Sequence, residues 1–65
     1  MLKLSEERIR RGWSKAELAR RAKLDQGLMS KIELGRVIPY PGQLARLASA
    51  LKVPADALMS EVEGR

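Results

Sequence analysis

The chain has 65 residues, is 45% hydrophobic and 32% charged, carries a net charge of +5, and contains neither cysteine nor histidine. A chain this short buries only about 60% of the surface it exposes when unfolded, which allows one small core and one domain over 1–65 but no enzyme cleft of ordinary size. No disulfide framework, thiolate or histidine metal site, or ordinary acid–base group is available, so no catalysis, cofactor or metal is expected. The apolar runs fall far short of the ~20 residues of a membrane span, and the charged N-terminal segment lacks a signal-peptide core, so a cytoplasmic protein without membrane contact is expected.

Along the chain, Leu2 to Arg11 read as a first helix stopped by Gly12, with Leu4 and Ile9 as its core contacts. Ser14 then offers an N-cap, Glu17 three residues later suits a capping box, and Trp13 can staple onto Leu18, so a second helix begins at about Lys15. Its apolar positions Leu18, Ala19 and Ala22 share one face, while Lys15, Arg20, Arg21 and Lys23 point elsewhere. Asp25 caps a third helix that runs to about Leu34, with Met29 and Ile32 as its buried stripe and Gly35 as its left-handed stop. Val37, Ile38 and Tyr40 make the next loop more apolar than a solvated connection needs. In Pro41 to Leu51 the residues Leu44, Leu47, Ala48 and Leu51 give the i, i+3, i+4, i+7 pattern of a core helix. Pro54 opens a last helix that inserts Leu58, and 60–65 read as a frayed tail.

Only Lys23 and Leu24 separate the last core residue of the second helix from the cap of the third. Two short helices whose apolar stripes must meet across so tight a connection fit a helix-turn-helix over about 15–34, although an ordinary helical hairpin in a small bundle uses the same signals. The third helix would turn a polar and basic edge outward, which suits the DNA major groove. Charge placement agrees: residues 1–36 hold ten basic and five acidic side chains, and residues 37–65 hold three of each. A basic half joined to a neutral half is the footprint of a protein that meets phosphate on one side, and solvation of exposed helix faces is the plainer account of the same charges. Only Trp13 and Tyr40 are aromatic, so binding single strands by stacking has little basis.

The segments IRRGWS, AELARRA, SKIE, then Gly35, Arg36 and Pro39, and finally LARLASALKVPADAL resemble, in this order and spacing, the helix-turn-helix domain of phage repressor and Cro proteins, the XRE family. The resemblance covers about Leu4 to Leu58. It implies an all-α, compact five-helix lambda-repressor-like domain whose second and third helices form the motif, binding double-stranded DNA as a small transcriptional regulator. It also implies a homodimer on a palindromic operator, with recognition helices about one DNA turn, ~34 Å, apart. The chain departs from the family where Lys23 and Lys52 replace the usual glycines, and where Gly27 and Leu28 occupy recognition positions that are often polar. A lysine in a glycine's left-handed conformation costs roughly 1 kcal/mol.

Site expectations follow residue by residue. By the resemblance, Gln26 stands where base edges are reached, and its amide can pair bidentately with adenine. Lys31, just over a turn further on, can reach a guanine or a phosphate, and Gly27 lets the helix sit deeper. Leu28 can touch a thymine methyl, or else close over the core or meet a protein. Lys15 lies at the start of the second helix, where free amides and the positive helix end favour an anion. Arg36 matches a second phosphate-facing position of the family, with Arg10 and Arg11 as further backbone candidates. The resemblance also pairs Arg8 with Glu33 as a structural ion pair. A loop as apolar as Val37, Ile38 and Tyr40 suggests either packing under the fourth helix or a dimer contact, and the resemblance favours a symmetric dimer. A competing function uses the same fold as an adaptor or antitoxin-like module for a protein partner, which Gly27 and Leu28 favour. An enzyme would have to rest on carboxylates such as Glu6 and Glu7, which are adjacent on a helix and do not converge on one face.

Overall fold

A computed structural model describes residues 1–62. It contains four α-helices and one 3-10 turn: α1 (Lys3–Arg10), α2 (Lys15–Ala22), α3 (Gln26–Glu33), α4 (Pro41–Leu51) and the turn Ala55–Ala57. The expected fifth helix is reduced to that single turn. Pro54 starts it, the Leu58 amide closes an i+3 bond onto Ala55, and the fully buried Leu58 is already delivered to the core. Immediately afterwards the chain has to return to its other end.

That return overturns the frayed tail for the described part of 60–65. The Leu2 cap of α1 offers no side-chain acceptor, and the start of a helix exposes amides that need partners. Residues near the C-terminus supply them: the Lys3 amide donates to the Ser60 carbonyl (2.8 Å) and the Leu4 amide to the Leu58 carbonyl (3.0 Å). Leu2 and Glu61 form an antiparallel bridge, and the Val62 amide donates to the Met1 carbonyl at 2.8 Å. The part of the expected tail at 63–65 lies outside the described residues.

The cap signals in the middle of the chain act locally. Ser14 Oγ accepts from the Glu17 amide at 3.0 Å, and Asp25 Oδ2 accepts from the Leu28 amide at 3.1 Å. The Glu17 carboxylate turns forward to Arg20 and Arg21 instead of back to the Ser14 amide, so half of the expected capping box is made. Lys23 and Lys52 end α2 and α4 in the left-handed conformation at φ 58° and 57°, as their glycine-like places suggest.

Each helix contributes at least one fully buried apolar side chain, Leu4, Leu18, Met29 and Ile32, Leu47 and Leu51, and Leu58 adds another just after the turn. Ile9 is not among them and is 52% exposed. Five residues at ~100° each place Ile9 about 140° around the helix from Leu4, so the two cannot share a face. The inward face of α1 instead carries Ser5 and Glu7, both buried, beside Leu4. Glu7 is tolerated there because Lys3 (3.1 Å) and Arg11 (2.6 Å) close on its carboxylate. The hydrogen bond from Arg11 is the largest influence on its acidity, and with Lys3 and Arg10 it holds the carboxyl below its ordinary pKa against the opposing effect of burial. Among the described residues no helix is long and apolar enough to cross a membrane.

Candidate nucleic-acid interface

Lys23 to Asp25 are all that separate α2 from α3. The left-handed Lys23 lets the Leu24 amide bond back to the Ala19 carbonyl at 2.8 Å, which closes α2 and turns the chain at once into the Asp25 cap. The two helices therefore cross with Leu18, Ala19 and Ala22 facing Met29 and Ile32 in one core.

Burying Met29 and Ile32 fixes which side of α3 faces out. At ~100° per residue the outward arc runs from Gln26 through Ser30, Leu34 and Gly27 to Lys31. Gln26, Gly27 and Lys31 are exposed, and Leu28 is half-buried against the core. Gly27 also has a local reason to be glycine: a Cβ there would stand 3.0 Å from the Asp25 carboxylate oxygen that caps the helix. Two further residues lie on this arc. Ser30 is half-buried one turn beyond Gln26, and Leu34 is 62% exposed at the helix end. Their signal was spacing alone, i+4 and i+8 from Gln26.

Arg8 and Glu33 meet at the end of this helix. Arg8 Nε donates to Glu33 Oε2 at 2.8 Å and Nη2 to Oε1 at 3.1 Å, while Ser5 Oγ donates to Oε1 at 2.9 Å. The third arm, Nη1, donates to the Trp13 carbonyl at 2.7 Å, next to the Ser14 cap. With side chains only 13% and 4% exposed, the pair ties the last residue of α3 to α1 and to the start of α2. Ser5 is a partner that the sequence reading did not name.

The cations expected at the DNA backbone divide. Lys15 is half-buried at the first position of α2, and Arg36 is exposed in the loop after α3. Arg10 is exposed, 3.6 Å from Glu7. Arg11 is committed inside the fold: it donates to the carboxylate and the carbonyl of Glu7 and to the Leu51 carbonyl, joining α1 to the end of α4. These bonds engage both Nη groups, so Arg11 is the least available of the backbone candidates.

The apolar loop also divides. Residues 37–40 alternate: Val37 half-buried against the core, Ile38 83% exposed, Pro39 buried, Tyr40 75% exposed. Val37 packs on the core while Ile38 faces solvent, so the two do not share one outward patch. Ile38 and Tyr40 remain free, together with Leu34.

A family model described as a helix-turn-helix domain matches residues 2–62. No curated protein and no solved structure matches the chain.

Proposed function

The chain belongs to this helix-turn-helix family, and on that premise we propose that it binds double-stranded DNA sequence-specifically, as a small transcriptional regulator of the phage-repressor, XRE type. In this reading α3 enters the major groove. Gln26 reads an adenine, Lys31 a guanine or a phosphate, and Ser30 supplies a hydroxyl between them, while Gly27 lets the helix approach closely. Lys15, Arg36 and Arg10 contact phosphates and set the register of the domain without reading sequence. Two copies joined through Ile38 and Tyr40 would present their recognition helices to a palindrome. A cytoplasmic, nucleoid-associated location follows from that role.

The observation that carries the proposal is the mounting of α3. Its outward arc bears exposed Gln26, Gly27 and Lys31, while the other side is fixed by Met29, Ile32 and the bidentate Arg8–Glu33 pair. A reading helix needs such rigidity, because base discrimination depends on hydrogen-bond geometry. The absence of cysteine and histidine leaves no comparable support for an enzyme.

A second reading, a helix-turn-helix module that grips a protein partner, is favoured by the exposure of Leu34, Ile38 and Tyr40 at 62%, 83% and 75%. Selection of bound sequences from a random duplex pool separates the two. DNA reading gives a palindromic consensus and an affinity that falls steeply with salt. Recovery of unenriched sequences by weak binding would overturn it in favour of the module.

A further inference from the structure

Ser5 is a polar side chain on the inward face of α1, only 6% exposed, and a hydroxyl so buried has to find a partner. Its Oγ donates to Oε1 of Glu33, the last residue of α3, at 2.9 Å. The same carboxylate already takes two arms of Arg8, at 2.8 and 3.1 Å, so its charge is met without Ser5. What the hydroxyl adds is direction.

Reach separates the two donors. Arg8 approaches at the end of a long side chain that also serves the Trp13 carbonyl at 2.7 Å. Ser5 has a single torsion between its backbone and its oxygen, and that backbone is held. Its amide donates to the Leu2 carbonyl at 3.0 Å, and the fully buried Leu4 beside it donates its amide to the Leu58 carbonyl at 3.0 Å. A short donor on fixed backbone defines where Oε1 lies, and a long flexible one follows it.

The setting of α3 depends on such a reference. Met29 and Ile32 hold the helix by apolar contacts, which carry no direction. The Asp25 cap bonds an amide of α3 itself and does not relate the helix to its neighbours. Among the described residues, the side-chain hydrogen bonds that join α3 to another helix all end on Glu33, and they come from Arg8 and Ser5 of α1. A roll of only ~5° about the axis of α3 carries side chains on its outward arc, ~5–6 Å from that axis, through ~0.5 Å, which is the tolerance of a preorganised site.

We propose that Ser5 is a positioning residue for base discrimination: through Glu33 its hydroxyl sets the roll of α3, and with it the aim of the exposed Gln26. The inference rests on the DNA reading and adds a residue that touches no base and no phosphate.

The test measures two quantities on the full chain: discrimination, the affinity for the preferred duplex divided by that for a scrambled one, and stability in urea. Ser5→Ala removes the hydroxyl but installs a better helix former, which offsets part of the lost bond. Stability should therefore change little, while discrimination falls about fivefold through the preferred duplex alone, the scrambled one binding as before. Ser5→Thr keeps the hydroxyl at a poorer helix former, so stability should fall while discrimination is retained. A merely structural role predicts the opposite pattern, in which discrimination ignores both replacements. Unchanged discrimination in Ser5→Ala overturns the proposal, as does an equal loss in Ser5→Thr, which would assign the effect to packing. If the parent chain itself shows no preference between duplexes, the DNA reading fails and this inference with it; a parent that discriminates beside an unaffected Ser5→Ala sinks this inference alone.

Discussion

Glu33→Gln is the sharpest test of how the fold holds α3. Glu33 accepts two bonds from Arg8 and one from Ser5, and its side chain is only 4% exposed. Glutamine keeps the shape but presents one acceptor and one donor, so an arm of Arg8 faces an N–H and the guanidinium, 13% exposed, loses its counter-charge. Breaking one side of a buried pair costs about 3 kcal/mol. A 65-residue chain has ~3–10 kcal/mol in total, so the loss consumes a large share and should lower Tm by more than ~12 °C. Urea unfolding followed by circular dichroism gives the magnitude. The double replacement Arg8→Met with Glu33→Met should recover much of the loss, because the unpaired charge rather than the missing attraction is the main cost. DNA affinity of the double variant should stay below that of the parent, since the Trp13 carbonyl and Ser5 lose their partner and α3 its fixed setting. A Glu33→Gln loss under ~0.5 kcal/mol, the range of ordinary surface substitutions, would refute the reasoning.

Gln26→Ala should relax preference at one position of each half-site and cost about 1–3 kcal/mol against the preferred sequence, whereas Lys15→Ala should weaken all duplexes alike and flatten the salt slope by about one unit; titrations on preferred and scrambled DNA compare them, and equal losses on both would remove Gln26 as a reader. Ile38→Lys places a charge on a side chain that is 83% exposed, so helix content should be unchanged while sedimentation reports a monomer and affinity for a full palindrome drops to that of a half-site; an intact dimer would move the interface elsewhere. Lys52→Gly relieves a left-handed lysine at φ 57° and should raise stability by about 0.5–1 kcal/mol, or ~2–8 °C in Tm, with no gain contradicting the strain. Because Arg11 and Lys3 lower the folded pKa of Glu7, its contribution is present above the ordinary glutamate value of about 4.3 and is lost as pH falls through the lower folded value. The acid-side fall in stability should therefore be shallower in Glu7→Gln, and an unchanged pH profile would show that Glu7 does not supply it.

What the sequence discloses here is what acts over one helical turn. Ser14 and Asp25 can be placed because each cap bonds an amide three residues away, and Leu18, Met29 and Ile32 because a helix repeats its face every three to four residues. The same rule, applied strictly, puts Ile9 outside the core and Ser30 on the outward arc of α3. Val37 and Ile38 look alike in sequence because both are apolar, although Val37 packs on the core and Ile38 is exposed. Other features are hidden for a different reason. The acceptors for the first amides of α1 lie at Leu58 and Ser60, Arg11 finds the Leu51 carbonyl, and Arg46 finds Ala22. Each pairing joins a side chain or amide to backbone far along the chain, and a backbone carbonyl looks the same at every residue, so no residue type marks the partner. Glu33 differs in that its partner is a complementary side chain, which is why Arg8–Glu33 could be expected through resemblance while the equally structural Arg11 was read as a free cation. A basic residue in a small domain thus has to be tested for an internal carbonyl before it is assigned to phosphate: on that criterion Arg11 is the least available of the backbone cations, and Lys15, Arg36 and Arg10 remain as candidates.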